Sequence, residues 1–311
     1  MSTSSPAGAA EESPWITAIP AVFVLIWSTG FIVARFGMPH APPMSFLAWR
    51  FALSILCFGV WIVLARVAWP SSRQQVFHLA VTGVLMHAGY LGGVWAAVKA
   101  GMGAGLSALI VGLQPVLTAI WVTLMDRSQP RISRRQWAGL SLGLLGLLLV
   151  VWRKITHGSP GDQANAVNLL FAFGALISIT AGTLYQKRFV KPCDVRSANA
   201  VQLTAALVVA LPLAFMETES VRWTAQLSGA MAWSVLGLTL GGSSLLYLLI
   251  QRGAAATVAS LMYLVPPCTA VIALILFDEP ISMVTLCGIV ITAVGVSLVV
   301  RSPKSVTGHA R

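Results

Sequence analysis

The sequence predicts an all-α integral membrane protein with ten transmembrane helices. Of the 311 residues, 57% are hydrophobic and only 9% are charged, and the mean hydropathy is +0.83. A soluble domain carries about 25% charged residues, so most of this surface must face lipid. Apolar stretches recur along the chain with the roughly 20-residue length that crosses a bilayer as a helix. Their apolar residues are continuous rather than alternating, which favours helices over barrel strands.

The ten predicted spans are separated by short polar connections. They cover residues 15–35, 45–65, 76–98, 103–125, 136–152, 165–186, 197–216, 228–251, 254–277 and 282–300. The polar tail before the first span carries Glu11 and Glu12 but no Lys or Arg. A signal peptide has a basic region there, so we expect the first span to remain in the protein as a helix.

The positive charges predict the orientation of the chain. If the N-terminus is cytoplasmic, 14 of the 20 Lys and Arg residues lie on the cytoplasmic side and five on the other side. This bias follows the positive-inside rule and predicts that both termini are cytoplasmic. The net charge of +11 then reflects orientation, and we expect no nucleic-acid partner.

The sequence also repeats itself, with five spans in each copy. A shift of 151 residues places 103–124 over 254–275, and a shift of 149 residues places 132–151 over 281–300. The matched residues include a proline in the middle of an apolar run, Pro115 over Pro266, and two glycines at the same spacing. Because five is an odd number, the second copy enters the membrane from the opposite side. The copies are therefore expected to form an inverted repeat about an axis in the membrane plane.

Inverted repeats are typical of secondary transporters, whose substrate sites lie near the bilayer midplane at interrupted helices. Proline removes a backbone donor and disturbs the preceding turn. We therefore predict helix breaks, with a role in gating, at Pro115 and at Pro266 and Pro267. A helix broken at this depth must face protein or a wet cavity rather than lipid.

These features together resemble the EamA family of the drug/metabolite transporter superfamily. The segments "WSTGFIVAR" (27–35) and "DEPIS" (278–282) are similar to family segments. The first copy departs from the pattern, since it has "DRSQP" (126–130) where the second copy has Asp278, Glu279 and Pro280. The resemblance implies a secondary transporter in the inner membrane of a bacterium that exports small metabolites such as amino acids. It implies the following division of the chain: a disordered cytoplasmic tail (1–14), a first five-helix repeat (15–154), an extracytoplasmic linker (155–164), a second five-helix repeat (165–301) and a cytoplasmic tail (302–311).

Polar and aromatic side chains inside the spans are the candidates for a substrate cavity. They are Trp27, His87, Tyr90, Gln114, Tyr185, Gln202, Tyr247 and Tyr263. Each could instead make an ordinary hydrogen bond between helices, or simply pack in the case of Trp27. If transport is proton-coupled, we expect His87 to carry the proton; the alternative is a neutral histidine bonded to a backbone carbonyl. Arg50 could attract an anionic group, or its side chain could extend to the outer interface.

No carboxylate falls in the middle of a predicted span, which argues against a membrane-embedded enzyme that uses acids or bound metal. The four cysteines form no CxxC pair, and we expect neither a metal nor a cofactor. A channel or a structural membrane subunit remains as the alternative to a transporter. The expected partners are a small-molecule substrate, the lipid bilayer and a second copy of the chain in a homodimer. The substrate, the coupling ion and the direction of transport are not specified by the sequence.

Overall fold

The computed structural model describes residues 14–125, 134–157, 162–242, 245, 264–279 and 281–300, and within these ranges the chain is helical without a single strand. The all-α class predicted from the sequence is therefore confirmed. The helices are α1 (Pro14–Gly37), α2 (Pro43–Leu64), α3 (Arg73–Lys99), α4 (Ala104–Val111), α5 (Gln114–Met125), α6 (Arg134–His157), α7 (Ala166–Phe189), α8 (Val195–Met216), α9 (Ala225–Ala232), α10 (Val265–Phe277) and α11 (Met283–Val300).

Several of these helices are long and apolar enough to cross a membrane. Five qualify by length and composition among the described residues: α2, α3, the part of α6 from Trp137 to His157, α7 and α8. Shorter apolar helices lie at Ala21–Gly37, Ala104–Thr118, Val265–Phe277 and Met283–Leu298. Each predicted span overlaps a described helix, but the total number of spans stays a prediction.

Large apolar side chains are exposed along the outer surface of the bundle. Leu56 and Val63 on α2 are 63% and 75% exposed, and Phe215 on α8 is 82% exposed. A water-soluble protein seldom exposes large contiguous apolar patches, whereas lipid chains cover them at no cost. The helix lengths and this surface together describe a multi-pass membrane protein.

The connecting segments meet at two opposite ends of the bundle. At one end, the loops after α1 and α8 are joined by the Arg222 N–H, which donates to the His40 carbonyl at 2.8 Å. The loops after α3 and α6 are joined there by the Gln163 N–H and the Gly101 carbonyl at 3.1 Å. At the other end, the Gln75 side chain at the start of α3 donates to the Lys191 carbonyl in the loop after α7, at 2.7 Å. Successive long helices therefore run in alternating directions.

The fourth predicted span is broken, and its break faces another helix. α4 ends at Val111 and α5 begins at Gln114, so Pro115 occupies the first turn of a new helix. That position suits proline, since its missing N–H would have no helical partner. Pro266 is likewise in the first turn of α10. A Cβ added at Gly112 would lie 2.9 Å from Cγ of Pro266, so the break before α5 lies close to the start of α10.

Glycines allow α6 and α11 to pack backbone against backbone. A Cβ added at Gly146 would lie 2.5 Å from the Gly288 carbonyl oxygen, and one at Gly295 would lie 2.6 Å from the Gly139 oxygen. The 149-residue repeat shift places Gly139 over Gly288 and Gly146 over Gly295, so it converts each contact into the other. The contacts lie within one chain, so a homodimer would have to use another surface.

Candidate substrate cavity

A cavity lies at mid-depth between helices of the first and second halves of the chain. Its volume is about 130 Å³, which is comparable to that of engineered cavities that hold benzene. Its lining comes from α1, α2, α3, α7, α8 and the segment that continues α9. The lining residues are Trp27, Gly30, Phe31, Arg50, Phe51, Met86, His87, Tyr90, Leu91, Val94, Trp95, Ile179, Leu203, Leu238 and Thr239.

Two π-helical segments border this cavity at corresponding places in the two halves. One is Val84–Gly89 within α3, and the other is Trp233–Gly242, which continues α9. The 151-residue shift places the first segment inside the second. A π turn widens the helix and frees side chains to point in new directions, and such turns are frequent at functional sites. Here they supply His87 from the first half and Leu238 and Thr239 from the second.

Arg50 extends into the cavity and is held by the second π segment. Its side chain is only 8% exposed, and its Nε and Nη2 donate to the Thr239 hydroxyl at 3.3 and 3.2 Å. The Thr239 hydroxyl in turn donates to the Ser234 carbonyl at 2.8 Å. The interpretation of Arg50 as a side chain that extends to the outer interface is therefore wrong, because the guanidinium turns inward about 10 Å below the start of α2.

His87 and Tyr90 lie beside Arg50 on the cavity wall. His87 shares a hydrogen bond of 3.3 Å with the Gln202 side chain on α8, and its ring meets the edge of Phe51 at 6.2 Å. Among the described residues, the Tyr90 hydroxyl has no hydrogen-bond partner. Trp27 also lines this cavity. Gln202 is not among the lining residues, but its side chain bonds to His87, which is.

Other predicted candidates lie elsewhere in the fold. Gln114 donates to the Thr183 hydroxyl at 2.8 Å, which joins α5 to α7. The Tyr185 hydroxyl bonds to Nδ1 of His78 at 2.8 Å near the end of the bundle that holds Gln75. Neither lines the central cavity; both make the interhelical bonds considered as the alternative. Pro266 and Pro267 border a separate, much smaller space beside Gly112. Tyr247 and Tyr263 lie outside the described residues.

A buried group of charges closes the bundle at the end that holds Gly101. We call Arg35, Lys154, Asp162 and Glu279 the ionic network. Lys154 pairs with one oxygen of Asp162, and Arg35 Nε lies 3.7 Å from Glu279 Oε1. That Glu279 oxygen also accepts from the Ala104 N–H at 3.2 Å, at the start of α4. The other Asp162 oxygen is buried and has no hydrogen-bond partner within the described part of the chain.

The ionic network perturbs its two carboxyl groups. Burial raises the pKa of Asp162, against the hydrogen bond and charge of Lys154. Burial, followed by the negative charge of Asp162, raises the pKa of Glu279. Both acids lie outside the middle of any predicted span, and neither is among the predicted site residues. The "DEPIS" segment was the available signal for Glu279, but nothing local indicates that Asp162 from the loop after α6 meets it.

Comparison with known proteins agrees with a membrane transporter. The protein is 24% identical over 288 residues to the Bacillus subtilis strain 168 protein named "Uncharacterized transporter YvbV", covering 92% of this chain and 91% of the relative. It is 25% identical over 225 residues to the Escherichia coli K12 "Uncharacterized inner membrane transporter YedA", covering 72% and 70%.

Two further similarities concern function and fold. A Salmonella typhimurium protein named "Probable amino-acid metabolite efflux pump" is 24% identical over 189 residues, covering 61% of this chain and 59% of the relative. A solved crystal structure matches the fold with a TM-score of 0.63 at 18% identity, covering 91% of this chain and 96% of that one. That likeness supports the helical architecture alone.

The apolar helices, the mid-depth cavity and these relatives define a multi-pass transporter of the drug/metabolite type. The sequence model of the EamA-like transporter family matches residues 14–152 and again residues 167–301. The chain therefore belongs to the EamA-like transporter family. The names of its relatives point to transport rather than to enzymatic catalysis.

Proposed function

We propose that this protein is a secondary transporter that exports small metabolites, amino-acid-like compounds first, by alternating access. The observation that carries the proposal is the mid-depth cavity, which is lined by both halves of the chain and has the size of a small organic molecule. The similarity to an efflux pump supports the direction of transport. The similarity to an inner membrane transporter supports placement in a bacterial inner membrane.

The proposed architecture is an inverted pair of five-helix repeats, at 15–154 and 165–301, with a linker at 155–164 and cytoplasmic tails at 1–14 and 302–311. Support comes from α6 and α11, where Thr292 donates to the Gly143 carbonyl at 3.5 Å. These two positions correspond under the 149-residue shift, as two residues beside a two-fold axis must. The proposed orientation makes the end with the ionic network extracytoplasmic and gives ten spans.

Alternating access requires the outer end to open, and the ionic network is the contact that would have to separate. Glu279 connects the loop after α10 to the start of α4 and to Arg35 at the end of α1. Lys154 and Asp162 connect the end of α6 to the loop that follows it. The proposed points of bending are Pro115, in the first turn of α5, and Pro266 and Pro267, in the first turn of α10.

Counterflow in proteoliposomes tests the proposed transport function. We expect saturable exchange of labelled amino acids or their metabolites, and loss of exchange in Gly30→Leu. Gly30 lines the cavity, and an added Cβ there would lie 3.8 Å from the Leu238 side chain, so we expect the larger side chain to occupy cavity space. Gly59→Leu is the matched control, since nothing lies within 4 Å of a Cβ at Gly59.

The same assay separates the alternatives. A channel would give flux without saturation or counterflow, and a structural membrane subunit would move no solute. A membrane-embedded enzyme would alter the solute chemically, which chromatography of the recovered label detects. The described residues contain no group of three or more His, Cys, Asp or Glu side chains that could hold a metal ion.

His87 is the proposed proton carrier if export is coupled to protons. It lines the cavity and bonds to Gln202 on α8, so a change in its protonation would alter a contact between two helices. We expect His87→Gln to change the pH dependence of exchange in proteoliposomes. A pH profile that matches the wild-type profile would remove His87 from the coupling mechanism.

A further inference from the structure

The central cavity contains positive charge without a matching negative charge. Among the described residues that line it, Arg50 and His87 are the basic ones, and none is Asp or Glu. The rest of the lining is aromatic and aliphatic, apart from Tyr90 and Thr239. A solute that enters therefore meets one guanidinium and mostly apolar walls.

The carboxylates of the described residues are all engaged or located elsewhere. Glu217 accepts from the backbone at the start of α2, Glu219 pairs with Lys99, and Asp194 pairs with Arg196. Asp278 ends α10, and the other two belong to the ionic network. Within the described residues, Arg50 has no anionic partner.

An unpaired charge within a membrane protein is costly unless a partner compensates for it. Thr239 is a neutral acceptor and engages only two of the three guanidinium nitrogens. Guanidinium carries five donors in a planar fork, which matches the two oxygens of a carboxylate. The arrangement is thus suited to a carboxylate that supplies the missing negative charge.

The walls determine what the rest of the solute should look like. Trp27, Phe31 and Phe51 face the cavity, and Trp95 stacks on Phe46 at 4.3 Å beside it. These surfaces favour an apolar or aromatic body. An ammonium group would find no carboxylate in the lining and would lie in the same small space as the Arg50 guanidinium. Like charges in such surroundings repel strongly.

We propose that the central cavity binds organic carboxylates with one negative charge and an apolar body, in preference to zwitterionic amino acids of the same size. Deaminated or N-acylated amino acids have this chemistry. The inference rests on the proposed transport function, because it names the class of solute that the same cavity takes. It makes Arg50 the anion-binding residue and gives Thr239 the role of a positioning residue that orients the guanidinium.

The test compares solutes that share one body and differ only in charge. The probes are labelled 3-phenylpropionate, phenylalanine and 2-phenylethylamine, with N-acetylphenylalanine as a second monoanion. Equilibrium binding to detergent-solubilised wild-type protein is measured at pH 7.5, and counterflow follows in proteoliposomes with protein-free vesicles as the blank. We expect the two monoanions to bind at least tenfold more tightly than phenylalanine and the amine not to bind.

Variants at the two positions test the assigned roles. Arg50→Gln should reduce the affinity for 3-phenylpropionate at least tenfold and abolish the preference over phenylalanine. Arg50→Lys keeps the charge but loses the fork, so it should retain the preference with weaker binding. Thr239→Val should weaken binding of the monoanions while leaving them preferred. The wild-type comparison needs no variant and stands even if a substitution prevents folding.

The outcomes separate this inference from the proposed function. If phenylalanine is exchanged as well as or better than the monoanions, the charge preference is overturned and the transport function stands. If protein with an intact fold exchanges none of these solutes or other amino acids, both the inference and the metabolite-export proposal fail.

Discussion

The ionic network buries two carboxyl groups, those of Asp162 and Glu279. In the described part of the chain, each buried acid has a cation or a backbone donor that compensates for its charge. For Glu279, these are Arg35 and the Ala104 N–H. That compensation is incomplete, since burial and Asp162 still raise the Glu279 pKa. The protonated form of Glu279 is therefore favoured by the folded protein relative to the unfolded chain.

This shift predicts how stability depends on pH. A carboxyl group whose pKa is raised on folding contributes stability below its ordinary pKa, about 4.3 for glutamate, and loses that contribution as pH rises through the folded value. Glu279→Gln imitates the protonated form and can still accept from Ala104. We therefore expect the difference in apparent Tm, variant minus wild type, to increase as the pH is raised from 4 to 8. Thermal unfolding in detergent measures this difference.

A matched control is available at the same end of the molecule. Glu219 likewise pairs with a cation, Lys99, but its side chain is 60% exposed. Glu219→Gln should change the Tm little at any pH in this range, because an exposed ion pair contributes little to stability. A Glu279→Gln difference that is equally flat, or that falls with pH, would contradict the assignment.

The structure divides the site residues predicted from the sequence into two groups. Trp27, His87 and Tyr90 line the cavity. Gln114 and Tyr185 were chosen by the same reasoning yet bond to neighbouring helices. An apolar run shows how deep a polar side chain lies, but its rotation depends on packing between helices, which a single sequence does not encode.

At the scale of helices, close packing depends on small residues at defined crossings. α6 and α11 approach so closely that added atoms at Gly146 would meet the backbone of the partner helix. Backbone cannot move aside as a flexible side chain can, so the helices would have to separate. The glycines that match between the two repeats lie at this crossing, which identifies the two helices that pack.

Gly146→Ala is therefore predicted to destabilise the protein although alanine favours helix formation. Overpacking of this kind typically costs about 1–3 kcal/mol, which should lower the apparent Tm by a few degrees. Gly174→Ala is the control, because Gly174 lies within α7 with nothing within 4 Å of an added Cβ. That control should gain up to about 1 kcal/mol from helix propensity. Equal effects at both positions would contradict the close approach of α6 and α11.

Across the whole molecule, the two halves share a scaffold but differ in their chemistry. The 151-residue shift pairs Arg50 with Val201 and His87 with Leu238. Both basic groups of the cavity therefore come from the first half. The second half contributes Thr239 and apolar surface to the cavity. A solute would therefore be recognised chiefly by the first half and enclosed by both halves.

The orientation of the whole chain can be tested by cysteine labelling. In a background with the four native cysteines replaced by alanine, Ser220→Cys lies in the loop after α8 and Ser71→Cys in the loop after α2. We expect a membrane-impermeant maleimide to label Ser220→Cys in intact cells, and Ser71→Cys only after permeabilisation. The reverse pattern would invert the proposed topology.

The crossing of α6 and α11 also determines what can stay still while the halves exchange conformations. Its contacts, Gly146 with Gly288 and Gly139 with Gly295, are interchanged by the repeat shift. If the inward-facing and outward-facing forms arise when each half adopts the conformation of the other, a pair of contacts that the shift interchanges is the same in both forms. This crossing would then be the fulcrum of the transporter, a fixed point around which the rest of the bundle rocks.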